Sequence, residues 1–271
     1  RILFVGNSHV GAINQGLKLG LENSSIDGEK YLFNFAATAG SIGITCDSKY
    51  IFINPDIDEY ETHRKHFKLV AGAEKINFLE FDVIIATLGN TPLSIRDYLH
   101  CNERPGPISY SLIKEIIKIG LRIDLNIPRF KYTSKLLNSS IPIIWCPKPC
   151  EPIELNLRLK SGSAIDPSFG TQNLEYYKYL EDPSCYEYFK KLYKDINQIS
   201  EQIAKEIGFC GVLLPGEEVL HDNFFQTKSI FSKGSKHFAE GFDLKDYDIH
   251  MNGDYGLEII LSLIKKLHWK S

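Results

Sequence analysis

A chain of 271 residues accommodates one large domain or two small ones. With 43% hydrophobic and 24% charged residues it has a globular balance, which excludes a disordered tail, a collagen-like fibre and a coiled coil. Its 31 Lys and Arg against 34 Asp and Glu leave a net charge of −3, so no basic footprint marks it for nucleic acid or for an anionic membrane surface.

No apolar run approaches the ~20 residues that span a bilayer, so no membrane insertion is expected. No charged-then-apolar leader is expected from the way the sequence opens. The chain opens at Arg1 rather than Met, inside an apolar run, so a preceding segment is expected to have been removed. Within that frame a cytoplasmic location is expected. The six cysteines (Cys46, Cys101, Cys146, Cys150, Cys185 and Cys210) form no Cys-x-x-Cys pair, and a chain of this size buries a core without staples. They read as reduced, and Cys146 and Cys150 without a second Cys/His pair are weak evidence for zinc.

The elements follow in chain order. Ile2 to Val5 is a short apolar strand that stops at Gly6, and Val10, Ile13, Leu17 and Leu21 then recur at helical spacing. Tyr31 to Phe35 reads as a second strand running into Gly40-Ser41, and Tyr50 to Ile53 as a short extra one. Phe81 to Thr87 is the clearest buried strand, nearly continuous and β-branched, and ends at Leu88-Gly89-Asn90. A helical stretch surrounds Ser111–Gly120, and Ile141 to Trp145 is the next strand. The strongest helix spans 184–207, started by Asp182-Pro183 and stopped by Gly208. Gly211 to Leu214 is a strand, and a helix from about Asp254 to Leu267 closes the chain. Alternating strands and helices predict an α/β protein, a three-layer α/β/α sandwich around a parallel sheet. No repeat or composition shift marks a linker, so 1–271 reads as a single domain with insertions at about 91–140 and 147–180.

In open α/β sheets ligands bind beyond the carboxyl ends of the strands. The first strand delivers Asn7-Ser8-His9, the second Gly40-Ser41 and the third Gly89-Asn90-Thr91, and Asp246 to Asn252 precedes the last helix. These are the parts of a serine acyl-transfer site. A hydroxyl needs a base to take its proton, imidazole does this near neutral pH, a carboxylate holds the imidazole, and amide donors stabilise the tetrahedral oxyanion. Each residue also has a plainer reading: Ser8 as a helix N-cap, Asn90 as turn chemistry before Thr91-Pro92, His250 as a surface or capping histidine. Their joint order along the chain favours the catalytic one.

That order resembles the SGNH or GDSL-type esterases and acyltransferases, across nearly the whole chain. Gly6-Asn7-Ser8-His9 is similar to the nucleophile block in its Gly-Asn-Ser form, Gly40 to the second-block glycine, Asn90 to the third-block asparagine and His250 to the base. The resemblance implies a flavodoxin-like fold, Ser8 as nucleophile, His250 as base, and an oxyanion hole from the Ser8 and Gly40 amides and the Asn90 side chain. Two positions depart from the pattern: Leu88 stands where the third block has glycine, and Tyr247 where the triad acid is usual. Asp248 is preferred to Asp246 as that acid, with a Ser-His dyad on a backbone carbonyl as the remaining option.

The implied activity is hydrolysis of O-acyl esters, O-acetyl above all, on carbohydrate. With the same site the protein would be an O-acetyltransferase acting on a polysaccharide hydroxyl. The opening Gly-Asn-Ser-His and closing His-Met-Asn-x-x-Tyr-Gly also resemble SGNH-like proteins of bacterial surface polysaccharide synthesis. A non-catalytic module that binds a glycan or a partner is a further reading, motivated by the two departures. The hydrolase needs no cofactor; the transferase needs an acetyl donor such as acetyl-CoA.

Tyr98, Tyr110, Tyr132, Trp145, Tyr176, Tyr177 and Tyr179 permit sugar stacking, although aromatics are more often buried. His63 and His66 read as part of a solvated helix, and His221-Asp222 as a polar loop. No phosphate loop or dinucleotide fingerprint is present.

Overall fold

The computed structural model describes residues 1–38, 41–88, 106–152, 178–232 and 251–268. In chain order the elements are β1 (Ile2–Gly6), α1 (His9–Glu22), β2 (Phe33–Ala37), β3 (Ile44–Cys46), β4 (Tyr50–Ile53), α2 (Tyr60–Ala71), β5 (Lys75–Asn77), β6 (Val83–Leu88) and α3 (Tyr110–Asn126). They continue with α4 (Lys131–Leu137), β7 (Ile143–Pro147), β8 (Glu151–Pro152), α5 (Tyr186–Ile207), β9 (Gly211–Val212), β10 (Gln226–Thr227) and α6 (Gly253–His268).

Five strands form one parallel sheet in the order β2-β1-β6-β7-β9. Counted along the chain this is 2-1-3-4-5, the doubly wound order whose switch point lies between the first and third strands, here β1 and β6. Alternation along the strands feeds two cores. Ile2 and Phe4 of β1, with Val83 and Ile85 of β6, pack with Val10 and Ile13 of α1 and with Ile259, Ile260 and Leu263 of α6. Leu3 and Val5, with Ile84 and Ala86, pack with Phe67 of α2, Ile113 and Ile117 of α3, and Phe189 and Ile196 of α5. Helices therefore cover both faces, which is why β1, β6 and β7 are buried along their whole length.

Several elements differ from the sequence expectation. Strand β2 begins at Phe33 and β6 at Val83, each two residues later than the hydrophobic runs suggest, because the parallel register matches Ile2 with both. The run 110–126 is one helix, the crossover from β6 to β7. Between β2 and β6 the expected short strand Tyr50–Ile53 is present as β4, and it is the middle of an antiparallel sheet β3-β4-β5 whose two outer strands were not expected. Those outer strands, β3 and β5, are three residues long, too short for alternation to register. Gly208, at φ 114°, ends α5 as expected, its N–H donating to the Ala204 and Lys205 carbonyls.

The closest helix pairing joins the two ends of the chain. A Cβ on Gly16 of α1 would lie 2.1 Å from the Leu257 backbone nitrogen, and one on Gly256 of α6 would lie 1.9 Å from the Ala12 carbonyl oxygen. Backbone thus meets backbone, and both glycines are required by space. At the far edge of the sheet, Lys266 of α6 and Glu201 of α5 form an ion pair beside Gly211, covering the edge strand β9.

Glu258, also on α6, has its carboxyl held above the ordinary range by burial and then by the neighbouring Glu218. A carboxyl whose pKa is raised by folding contributes stability below its unfolded pKa and loses it as pH rises through the folded one. Glu258→Gln is therefore expected to be more stable than the parent at pH 7, with the gap closing in denaturant melts repeated near pH 4.

Candidate active site at the carboxyl end of the sheet

Ser8 follows directly on β1, at the switch point, and precedes the first residue of α1. It occupies the N-cap position, yet its side chain makes no cap hydrogen bond. The capping contact comes instead from Asn7, whose Oδ1 accepts the His9 N–H at 3.0 Å. The Ser8 carbonyl accepts the Gly11 N–H at 2.9 Å, so the residue has entered the helix with its part-buried hydroxyl left out of the cap.

The turn is latched to β6. Thr87 Oγ1 accepts the Asn7 N–H at 3.2 Å and donates to the Val5 carbonyl at 3.3 Å. Gly6 makes room for this: a Cβ there would lie 1.6 Å from Thr87 Oγ1. Asn7, named from the sequence only as part of the Gly-Asn-Ser block, and Thr87, which the sequence reading did not single out, thus position the turn. The available signal was a threonine at the penultimate position of an otherwise apolar strand. Thr87→Val keeps the shape but removes both hydrogen bonds; a loss of about 1–2 kcal/mol in unfolding free energy is expected from denaturant titration.

Other strand ends meet here. The Thr38 N–H donates to the Gly6 carbonyl at 3.3 Å, placing the exit from β2 beside the exit from β1. Thr38 Oγ1 donates to the Ile42 carbonyl at 2.8 Å, and Ser41, buried at φ 62°, donates its N–H to the Thr38 carbonyl. Gly40 itself, like Asn90, Asp246, Asp248 and His250, lies outside the described residues. One described stretch ends at Leu88, the last residue of β6, paired with Pro147, and the final one begins at Met251 before α6. Met251 is buried in the α1/α6 core, and Asn252 Oδ1 accepts the Tyr255 N–H at 3.1 Å, starting the helix that packs on α1.

The remaining candidates fall elsewhere. Trp145 and Tyr132 are fully buried core residues, which removes them from sugar stacking. Tyr110 is exposed, its hydroxyl donating to Gln202 at 2.8 Å; Tyr98, Tyr176 and Tyr177 lie outside the described residues. His63 is buried beside Phe67 on the inner face of α2 rather than solvated. Among the described residues no group of three or more His, Cys, Asp or Glu is placed to hold a metal.

The His221 turn is a structural knot: Asn223 Oδ1 accepts the Phe225 and Gln226 N–H groups, and Asn223 Nδ2 donates to the Leu180 carbonyl and to Gln226 Oε1. No disulfide joins the described cysteines. Burial pushes the Cys46 thiol up to about 11 and the Cys146 thiol to about 12, which keeps both protonated and poorly nucleophilic at neutral pH. Among the described residues no helix is long and apolar enough to cross a membrane.

The fold and site together define an α/β protein with a serine at the switch point of its parallel sheet. Comparison of the chain with protein-family models, with curated proteins and with solved structures returns no match.

Proposed function

We propose that the protein is a serine hydrolase of the SGNH type that cleaves O-acyl esters, O-acetyl esters of carbohydrate in particular, through a Ser8 acyl-enzyme. The observation that carries this reading is Ser8 itself, set at the switch point beyond β1 with its cap position filled by Asn7. Support also comes from the order of strand exits. The segments leading to Gly40, Ser8 and Asn90 leave three neighbouring strands, β2, β1 and β6. The segment that ends in His250-Met251 enters α6, which is packed backbone to backbone on the helix that Ser8 begins.

In this reading Ser8 Oγ attacks the ester carbonyl carbon as its proton passes to His250, oriented by Asp248. The oxyanion is held by the Ser8 and Gly40 amides and the Asn90 side chain. The tetrahedral intermediate collapses, the C–O bond breaks, and the alcohol leaves with the proton from His250. Water, deprotonated by His250, then releases the acyl group as carboxylate.

A fluorophosphonate probe tests the reading. Stoichiometric labelling of the parent chain at Ser8, lost in Ser8→Ala, is the expected result; absence of labelling together with absence of p-nitrophenyl acetate turnover would falsify the hydrolase.

A further inference from the structure

Helix α3 has two apolar faces. Ile113, Ile117, Leu121 and Leu125 enter the core. On the opposite side Leu112, Ile119 and Ile123 are 43%, 53% and 58% exposed, with Ile116 partly buried between them. Positions 112, 116, 119 and 123 are spaced four, three and four, which is the spacing of a seam between two helices and not that of scattered surface residues. At ~100° per residue the centre of the stripe lies roughly 140° from the centre of the buried face, so Leu112, Ile119 and Ile123 stay outside the core while Ile116 packs at its margin.

The charges beside the stripe identify what fits it. Glu115 and Arg122 are both exposed on the same flank, one toward each end. Among the described residues neither takes part in an ion pair. On the side of α3 that meets α5, away from the stripe, Lys114 pairs with Glu206 and Tyr110 with Gln202. A two-fold axis passing between Ile116 and Ile119 makes this surface self-complementary. With two α3 helices antiparallel, Leu112 of one copy lies opposite Ile123 of the other and Ile116 opposite Ile119. The same axis sets Glu115 of each copy against Arg122 of the other.

We propose that the outer face of α3 is the interface of a homodimer of this chain, formed by antiparallel pairing of the two α3 helices. Sedimentation equilibrium of the full chain tests it. A dimer with a dissociation constant below about 100 µM is expected, as suits an interface at the small end of the specific range. Ile119→Asp places a charge at the centre of the seam, and is expected to weaken dimerisation at least about 100-fold while leaving the circular dichroism unchanged, because Ile119 is exposed in the single chain.

Glu115→Arg and Arg122→Glu each oppose like charges and are expected to weaken it about fivefold; the double reversal restores the parent value within about twofold. A parent chain monomeric at that concentration, or a dimer indifferent to Ile119→Asp, overturns the proposal. A double reversal no better than its single changes overturns the antiparallel pairing.

Discussion

Ser8→Ala is expected to lower kcat for p-nitrophenyl acetate by at least about a thousandfold, since removing the nucleophile of a catalytic triad leaves only binding and oxyanion stabilisation. The same variant separates the two roles open to a serine at this position. As an N-cap it would contribute about 1 kcal/mol, lost on truncation to alanine. The structure assigns that contact to Asn7 Oδ1 and the His9 N–H, so the thermal midpoint of Ser8→Ala should stay close to that of the parent. A variant that keeps its activity and loses about 1 kcal/mol of stability would return Ser8 to the role of a cap.

Gly256→Ala carries the largest expected cost in stability. Alanine in a helix interior gains about 1 kcal/mol over glycine. Here its Cβ would stand 1.9 Å from the Ala12 carbonyl oxygen and 2.7 Å from the Ile13 Cα. Those are backbone atoms, which cannot swing aside as a side-chain tip does, so α1 and α6 must separate along their contact. Overpacking of this kind costs up to about 3 kcal/mol or more, and a net loss of about 2 kcal/mol is expected. In a chain of this length that lowers the thermal midpoint by roughly 4–8 °C.

Gly16→Ala should behave alike, its Cβ meeting the Leu257 nitrogen and the Gly256 carbonyl carbon. The double variant should cost less than the sum, because the first change already opens the gap that the second needs. Calorimetry of the three variants measures this. On the proposed mechanism each variant should also lose esterase activity, because α6 carries the exit from His250. An additive double variant would show that the two glycines act on separate contacts.

Much of the layered architecture was legible in the sequence because its signals are local. The buried run of β6, the turn from apolar β1 into α1, the 3.6-residue recurrence along α5 and the stop at Gly208 each depend on neighbours within a few residues. Of the antiparallel sheet only the central strand β4 was legible; β3 and β5 were not, since strands of three residues pair for reasons that lie in the partner strand. Nor was the inner position of His63, set by how α2 lies against the core.

At the candidate site, residue types and their order along the chain nominated Ser8. Sequence did not show which residue caps α1. That is a matter of which oxygen the His9 N–H meets, and it turns on Thr87 gripping the Asn7 amide through the gap that Gly6 leaves. Sequence alone settled the kind of layers and the first residue to suspect, because periodicity and turn chemistry act at short range. Tertiary structure alone decided the strand order, the meeting of the first helix with the last, and the stripe left uncovered on α3, because each depends on contacts between segments far apart in the chain.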